Sequence, residues 1–130
     1  MIPLTNFSST TTQKMQAFLS GAAATTNPTV TVTYYEIIRQ DKVDNSDYPL
    51  ANQFTVLAGA TETDVCAAPN TGVTRHITAV NVYNADTAEV TVTVCVDDNG
   101  TNRILVKQVL QVAETLRYVS YLHGGQWFIV

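Results

Sequence analysis

Apolar and polar positions alternate with period two through most of this chain. In Thr29–Ile38, TVTVTYYEII, Val30 and Val32 oppose Thr29, Thr31 and Thr33 after the turn signal Asn27-Pro28. That pattern predicts a strand with one face in a core. From Phe54 onward similar segments recur at intervals of roughly 8 to 12 residues, the spacing of an antiparallel sandwich or barrel. They are Phe54–Leu57, Thr61–Ala67, Thr74–Tyr83, Glu89–Asp97, Thr101–Leu110, Thr115–Tyr121 and Gln126–Val130. Between them stand breaks rich in Gly, Asn and Pro: Ala58-Gly59, Pro69-Asn70-Thr71-Gly72, Asn84-Ala85-Asp86, Asp98-Asn99-Gly100, Gln111–Glu114 and His123-Gly124-Gly125. No helical pattern of the kind that links parallel strands intervenes. The expected fold is therefore all-β: one antiparallel β-sandwich or jelly-roll-like domain over residues 13–130, preceded by an extended N-terminal arm, residues 1–12.

Two segments are less direct. In QKMQAFLSGAAA, Met15, Phe18, Leu19 and Ala22 share one face of a helix with Thr12 as N-cap, yet Met15, Ala17 and Leu19 also alternate as in a strand. Local pattern leaves both readings open. RQDKVDNSDYPLANQ, Arg39–Gln53, gathers charge, Asn, Ser and Pro without period and reads as a long surface loop. For the hairpin around Asn99-Gly100, a two-residue type I′ turn would set Val92 against Lys107 and Val96 against Arg103, mixing the faces. A three-residue loop Asp98–Gly100 pairs Val92 with Val106 and Val94 with Ile104, which keeps the faces apart, so that register is expected.

Composition narrows function. The chain has 130 residues, of which 45% are hydrophobic and 14% charged, with a formal net charge of −4. A chain this long buries a core without disulfides or metal. Lys and Arg form no cluster, so the electrostatic footprint of a nucleic-acid or anionic-membrane partner is missing. Nothing at the N-terminus resembles a signal peptide, and no apolar run approaches the ~20 residues of a bilayer crossing. Cys66 and Cys95 are too few for a disulfide framework and lack metal-site spacing; they read as small, semi-buried thiols.

Catalytic patterns are missing too. His76 and His123 pair with no nucleophile or carboxylate at a recognisable spacing, and no phosphate-cradling glycine loop, nucleophile elbow or His-x-x-x-His is present. Asp41, Asp44 and Asp47 read as solvated loop charge, and Asp97-Asp98-Asn99 as turn chemistry. No enzyme, metal or cofactor is expected. The aromatic residues are more informative. Tyr34 and Tyr35 put one ring on each face of their strand, and Tyr118, Tyr121, Trp127 and Phe128 crowd the last hairpin. Rings with little surrounding charge suit a protein-contact surface, which makes Tyr34, Tyr35 and Trp127 candidate partner-binding residues.

NVYNADTAEVTVTV, DDNGTNRILVKQVL and AETLRY resemble the C-terminal half of small structural proteins of tailed bacteriophages. KMQAFLSGAAATTNPTVTVTYYEI is similar to that family's opening segment, a strand and small-residue loop leading into a second strand, and CAAPNTGVTRHITAVNV to its middle. Where relatives often carry Pro-Gly before the "E-x-L" strand, this chain has Val112-Ala113. The resemblance favours strand over helix for Met15–Leu19. It implies a virion protein, made in the cytoplasm of a host bacterium, that decorates and cements the capsid exterior as a homo-oligomer, commonly a trimer, with the major capsid protein or other virion proteins as partners. A tail, baseplate or fibre module is the alternative, with Tyr34, Tyr35, Tyr48 or Trp127 stacking on sugars. The Ser/Thr-rich arm is then expected to clamp a partner through Ile2, Leu4 and Phe7.

Overall fold

A computed structural model describes residues 8–38, 49–120 and 125–130. Ten strands follow one another with no helix among the described residues: β1 (Ser8–Ser9), β2 (Gln13–Leu19), β3 (Thr29–Ile38), β4 (Ala51–Val56), β5 (Thr63–Cys66), β6 (Val73–Tyr83), β7 (Val90–Asp98), β8 (Thr101–Leu110), β9 (Thr115–Val119) and β10 (Gln126–Ile129). They form two antiparallel sheets, ordered β10-β9-β6-β3-β4 with β1 paired to the start of β6, and β5-β2-β7-β8.

The alternation explains both sheets. Val30 and Val32 of β3, Val80 and Val82 of β6, Leu116 and Tyr118 of β9 and Trp127 of β10 meet Met15, Ala17 and Leu19 of β2, Val65 of β5 and Val92 and Val94 of β7 in one core. Each is at most 2% exposed. The intervening threonines of β3 turn to the outer face, where a β-branched side chain fits the pleat without demanding burial. Met15–Leu19 is strand, its register Met15↔Val96 to Leu19↔Val92 putting its apolar set against β7.

Two expectations need correction. Ala51, Asn52 and Gln53, read from the sequence as loop, belong to β4. Their polarity hid the strand, because β4 is inverted. Gln53 is satisfied by β5, its Nε2 donating to the Asp64 carbonyl (3.4 Å) and its Oε1 accepting from the Ala67 N–H (3.2 Å). Phe54 and Val56 are turned out, 71% and 63% exposed. The β7–β8 hairpin closes on two residues, not three: Asp98 pairs with Thr101, and Asn99 (φ 52°) and Gly100 (φ 93°) both occupy the left-handed region that Asn and Gly tolerate. Val96 does lie opposite Arg103. A bulge then absorbs Leu105, after which Val94 faces Val106 and Val90 faces Leu110. The faces are kept apart by a bulge further along the ladder, where the sequence reading relied on the turn.

At one end of the molecule all the connections, β2–β3, β4–β5, β6–β7 and β8–β9, cross between the sheets. Asn84 and Asp86, just past β6, bind this end together and are themselves 0% and 3% exposed. Asn84 Nδ2 donates to the carbonyls of Ala88 (3.0 Å), Leu110 (3.1 Å) and Gln111 (3.0 Å), and its Oδ1 accepts from the Asp86 N–H (2.9 Å). Its main chain exchanges bonds with Glu114 and Ala113. The Asp86 carboxylate accepts from the N–H groups of Ala24 (2.8 Å), Thr25 (2.8 Å), Thr26 (3.1 Å) and Thr87 (2.8 Å) and from the Thr25 hydroxyl (2.9 Å). Asn27 extends the network by accepting from the Gly59 N–H at 2.9 Å. Burial alone would raise the Asp86 pKa; the four backbone donors outweigh it and hold the carboxyl far below the ordinary carboxylate range.

Asn84→Ala strips the partner from the buried Leu110 carbonyl and from the part-buried carbonyls of Ala88 and Gln111, and is expected to cost about 3 kcal/mol, lowering Tm by on the order of 10 °C in a thermal melt. Because the folded-state pKa of Asp86 lies below its unfolded value, its stabilisation is complete above that value and fades as pH falls. Asp86→Asn should therefore melt well below wild type at neutral pH, the gap narrowing progressively below about pH 4.

Candidate functional site

The densest grouping of chemistry-bearing side chains lies at the opposite end of β6, beside the end of β3. Arg75 is the centre. Its Nε and Nη2 donate to Glu36 Oε2 (3.1 and 2.7 Å), its Nη1 donates to the Ala67 carbonyl (2.6 Å), and its guanidinium carbon sits 4.2 Å from the centroid of the Tyr34 ring. Register explains the meeting: Glu36 pairs with Arg75 and Tyr34 with Ile77, so all these side chains extend the core-facing side of the sheet toward β5. The Arg75 side chain, 12% exposed, thus ties β3 to the segment after β5 with a planar fork that a lysine lacks. On the other face the rings of Tyr35 and His76 lie 4.9 Å apart at 39°. Ser8 and Ser9 of β1 pair with His76 and Arg75, so the N-terminal strand ends on this cluster.

A shallow depression of about 260 Å³ opens beside it, lined by Tyr34, Tyr35, Glu36, Pro49, Leu50 and Ala51. Cys66, whose Sγ lies 3.9 Å from Arg75 Nη1, is buried, and burial pushes its thiol pKa up despite the guanidinium, so it is no thiolate at neutral pH. Burial also lowers the pKa of His76, leaving the ring neutral at pH 7. Among the described residues no group of three or more His, Cys, Asp or Glu side chains is placed to hold a metal ion.

The candidate residues separate. Tyr34 and Tyr35 are half-buried at this cluster, Tyr34 against the core and Tyr35 on the outer face. Trp127 is elsewhere. It fills the core beside Tyr118, ring centroids 5.2 Å apart, and is 2% exposed. The pairing of β10 with β9 turns Trp127 inward with Tyr118, and a ring this large completes the core at the sheet edge. Ile2, Leu4, Phe7, Asp41, Asp44, Asp47, Tyr48, Tyr121 and His123 lie outside the described residues. Cys66 and Cys95 are more buried than expected, and both are free. Asp97 serves the turn, its carboxylate accepting from the Gly100 N–H at 2.8 Å.

Sequence reasoning missed Phe54 and Val56 as surface residues. The alternation Gln-Phe-Thr-Val gives the period, but which face is buried depends on Gln53 finding β5, a contact no local pattern encodes.

Comparison with known proteins gives no match: no family model fits the chain, and neither a curated protein nor a solved structure matches it significantly.

Arg75→Ala is expected to reduce unfolding free energy by about 1–3 kcal/mol in chemical denaturation, and Arg75→Lys to recover only part of that, since one ammonium cannot serve Glu36 and the Ala67 carbonyl together.

Proposed function

We propose that this chain is a non-enzymatic structural protein of a tailed-bacteriophage virion, a jelly-roll-like β-sandwich that binds the outer surface of the head as a homo-oligomer and stabilises it. The observation that carries the reading is the contrast between a braced two-sheet core and an uncharged apolar outer flank. One end is braced by the buried Asn84 and Asp86 side chains and the other by the partly exposed Arg75–Glu36 pair, while Phe54, Val56 and Leu50, each more than 60% exposed, stand on or beside one edge strand. A rigid scaffold with a contact surface low in charge suits attachment to other proteins. The resemblance of the Val/Thr strands and the Asn-Gly turn to phage structural proteins points the same way. The jelly-roll wind is supported by nesting in the chain, the β3–β6 pair lying inside the β2–β7 pair.

The major capsid protein is the partner this reading names. The arm residues Ile2, Leu4 and Phe7, which precede β1 in the chain, are the residues this reading assigns to that contact. Removal of residues 1–7 is expected to leave the melting curve nearly unchanged and to weaken attachment to heads.

The test is to mix the purified protein with phage heads and, separately, with tails, each lacking it, and to measure bound copies per particle by sedimentation and quantitative gel. Saturable binding to heads in many copies is expected. Binding to tails alone would move the protein to a tail or fibre module, and binding to neither would defeat the virion reading.

A further inference from the structure

A sheet edge presents unpaired N–H and C=O groups to any strand that reaches it, and natural sheets blunt such edges with charge, proline, bulges or brevity. Among the described residues five strands have a free edge: β10, β4 and the two-residue β1 in one sheet, β5 and β8 in the other. β8 carries Arg103 and Lys107 and is bulged at Leu105. β5 has only four residues, includes Asp64, and lies across a register shift from β2. β10 also has four residues. β4 has none of these devices. Its six residues, ANQFTV, contain no charge, Pro or Gly, and its register with β3 runs unbroken from Tyr34↔Ala51 to Thr29↔Val56.

The direction of its free hydrogen-bonding groups follows from the ladder. Leu57 N–H donates to the Pro28 carbonyl at 2.9 Å, so Leu57 is turned toward β3. Alternation then turns Ala51, Gln53 and Thr55 toward β3, and the N–H and C=O groups of Asn52, Phe54 and Val56 away from it. These same residues carry the outward, exposed side chains.

We propose that β4 is a self-association edge, pairing antiparallel with β4 of a second copy of this chain about a twofold axis at Phe54. In that register Phe54 faces its own counterpart, and Asn52 faces Val56 of the second copy in both directions. Each of these is a position whose backbone groups point outward, so the ladder closes with no orphaned donor or acceptor along β4. The two Phe54 rings come together on one continuous outer face, neighbouring strands placing paired Cα atoms about 5.5 Å apart. No charge meets a like charge, because the strand has none. The second copy is favoured over a foreign strand by this self-complementarity: one patch supplies both halves, as an isologous contact requires. The contact uses the same Phe54–Val56 flank as the virion reading but rests on the β4 ladder alone, and it closes as a dimer, whereas a trimer needs a head-to-tail contact. A six-residue ladder falls short of the ~800 Å² per partner of a standard interface, so the association is expected to be reversible.

Sedimentation equilibrium on the full chain tests this. Wild type is expected to show a monomer–dimer equilibrium. Phe54→Lys and Phe54→Glu, at an outward position that the core does not need, are each expected to weaken it at least tenfold, roughly the effect of like charges placed opposite in a ladder. An equimolar mixture of the two should associate again, since only the twofold register sets position 54 against itself. Thermal melts confirm that the variants fold; Val56→Lys mixed with Asn52→Glu tests the same register from its other pair. A wild-type chain that stays monomeric, a trimer, variants that dimerise like wild type, or a mixture that fails to associate would each overturn the proposal.

Discussion

Two short polar side chains buried where the chain changes sheets hold this structure in place. Without Asn84 and Asp86 the crossovers at that end would leave the buried Leu110 carbonyl and the part-buried backbone groups of the β2–β3 and β8–β9 segments without these partners. Asn84 supplies donors to the carbonyls before β9 and an acceptor to its own turn, while Asp86 gathers the N–H groups of the β2–β3 loop. The pair converts loops into an extension of the core. An amide and a carboxylate are needed together because the β8–β9 segment offers carbonyls and the β2–β3 loop offers N–H groups.

β6 carries this constraint from one end of the molecule to the other. It has eleven residues, pairs with β3 and β9, and places Arg75 near its start and Asn84 just past its end. At the far end the Arg75 fork repeats the logic with a cation, bonding Glu36 and the Ala67 carbonyl while covering the Tyr34 ring. Polar chemistry is thus spent on bracing the two ends. What faces outward on the flank of β3 and β4 is threonine, Asn52, Phe54 and Val56.

Much of the architecture was legible in the chain. Thr29–Ile38 and Thr101–Leu110 coincide with β3 and β8: in β3 the Val/Thr alternation marks one buried face, and β8 is bounded by the Asn99-Gly100 turn before it and the Gln111–Glu114 break after it. Illegible features all depended on a distant partner. Gln53 looked like loop until β5 provided its hydrogen bonds, and Trp127 looked like a contact residue until β9 turned it inward. The hairpin register was misjudged because the one-residue correction lies in a bulge at Leu105, away from the turn. Asn84-Ala85-Asp86 was visible only as a break between strands; its role requires loops about sixty residues upstream and about twenty-five downstream, which only folding assembles. Ala113 is a further case: it holds φ 67°, a region glycine adopts more readily, and its N–H reaches the Asn84 carbonyl at 3.0 Å.

The account rests on a loop end that behaves as core, and amide hydrogen exchange measures that directly. The N–H groups of Ala24, Thr25, Thr26 and Thr87, all bound to Asp86, are expected to exchange only through global unfolding, as slowly as the central amides of β6 and β7. Exchange of these four at rates ordinary for surface loops, with β6 and β7 still protected, would contradict it.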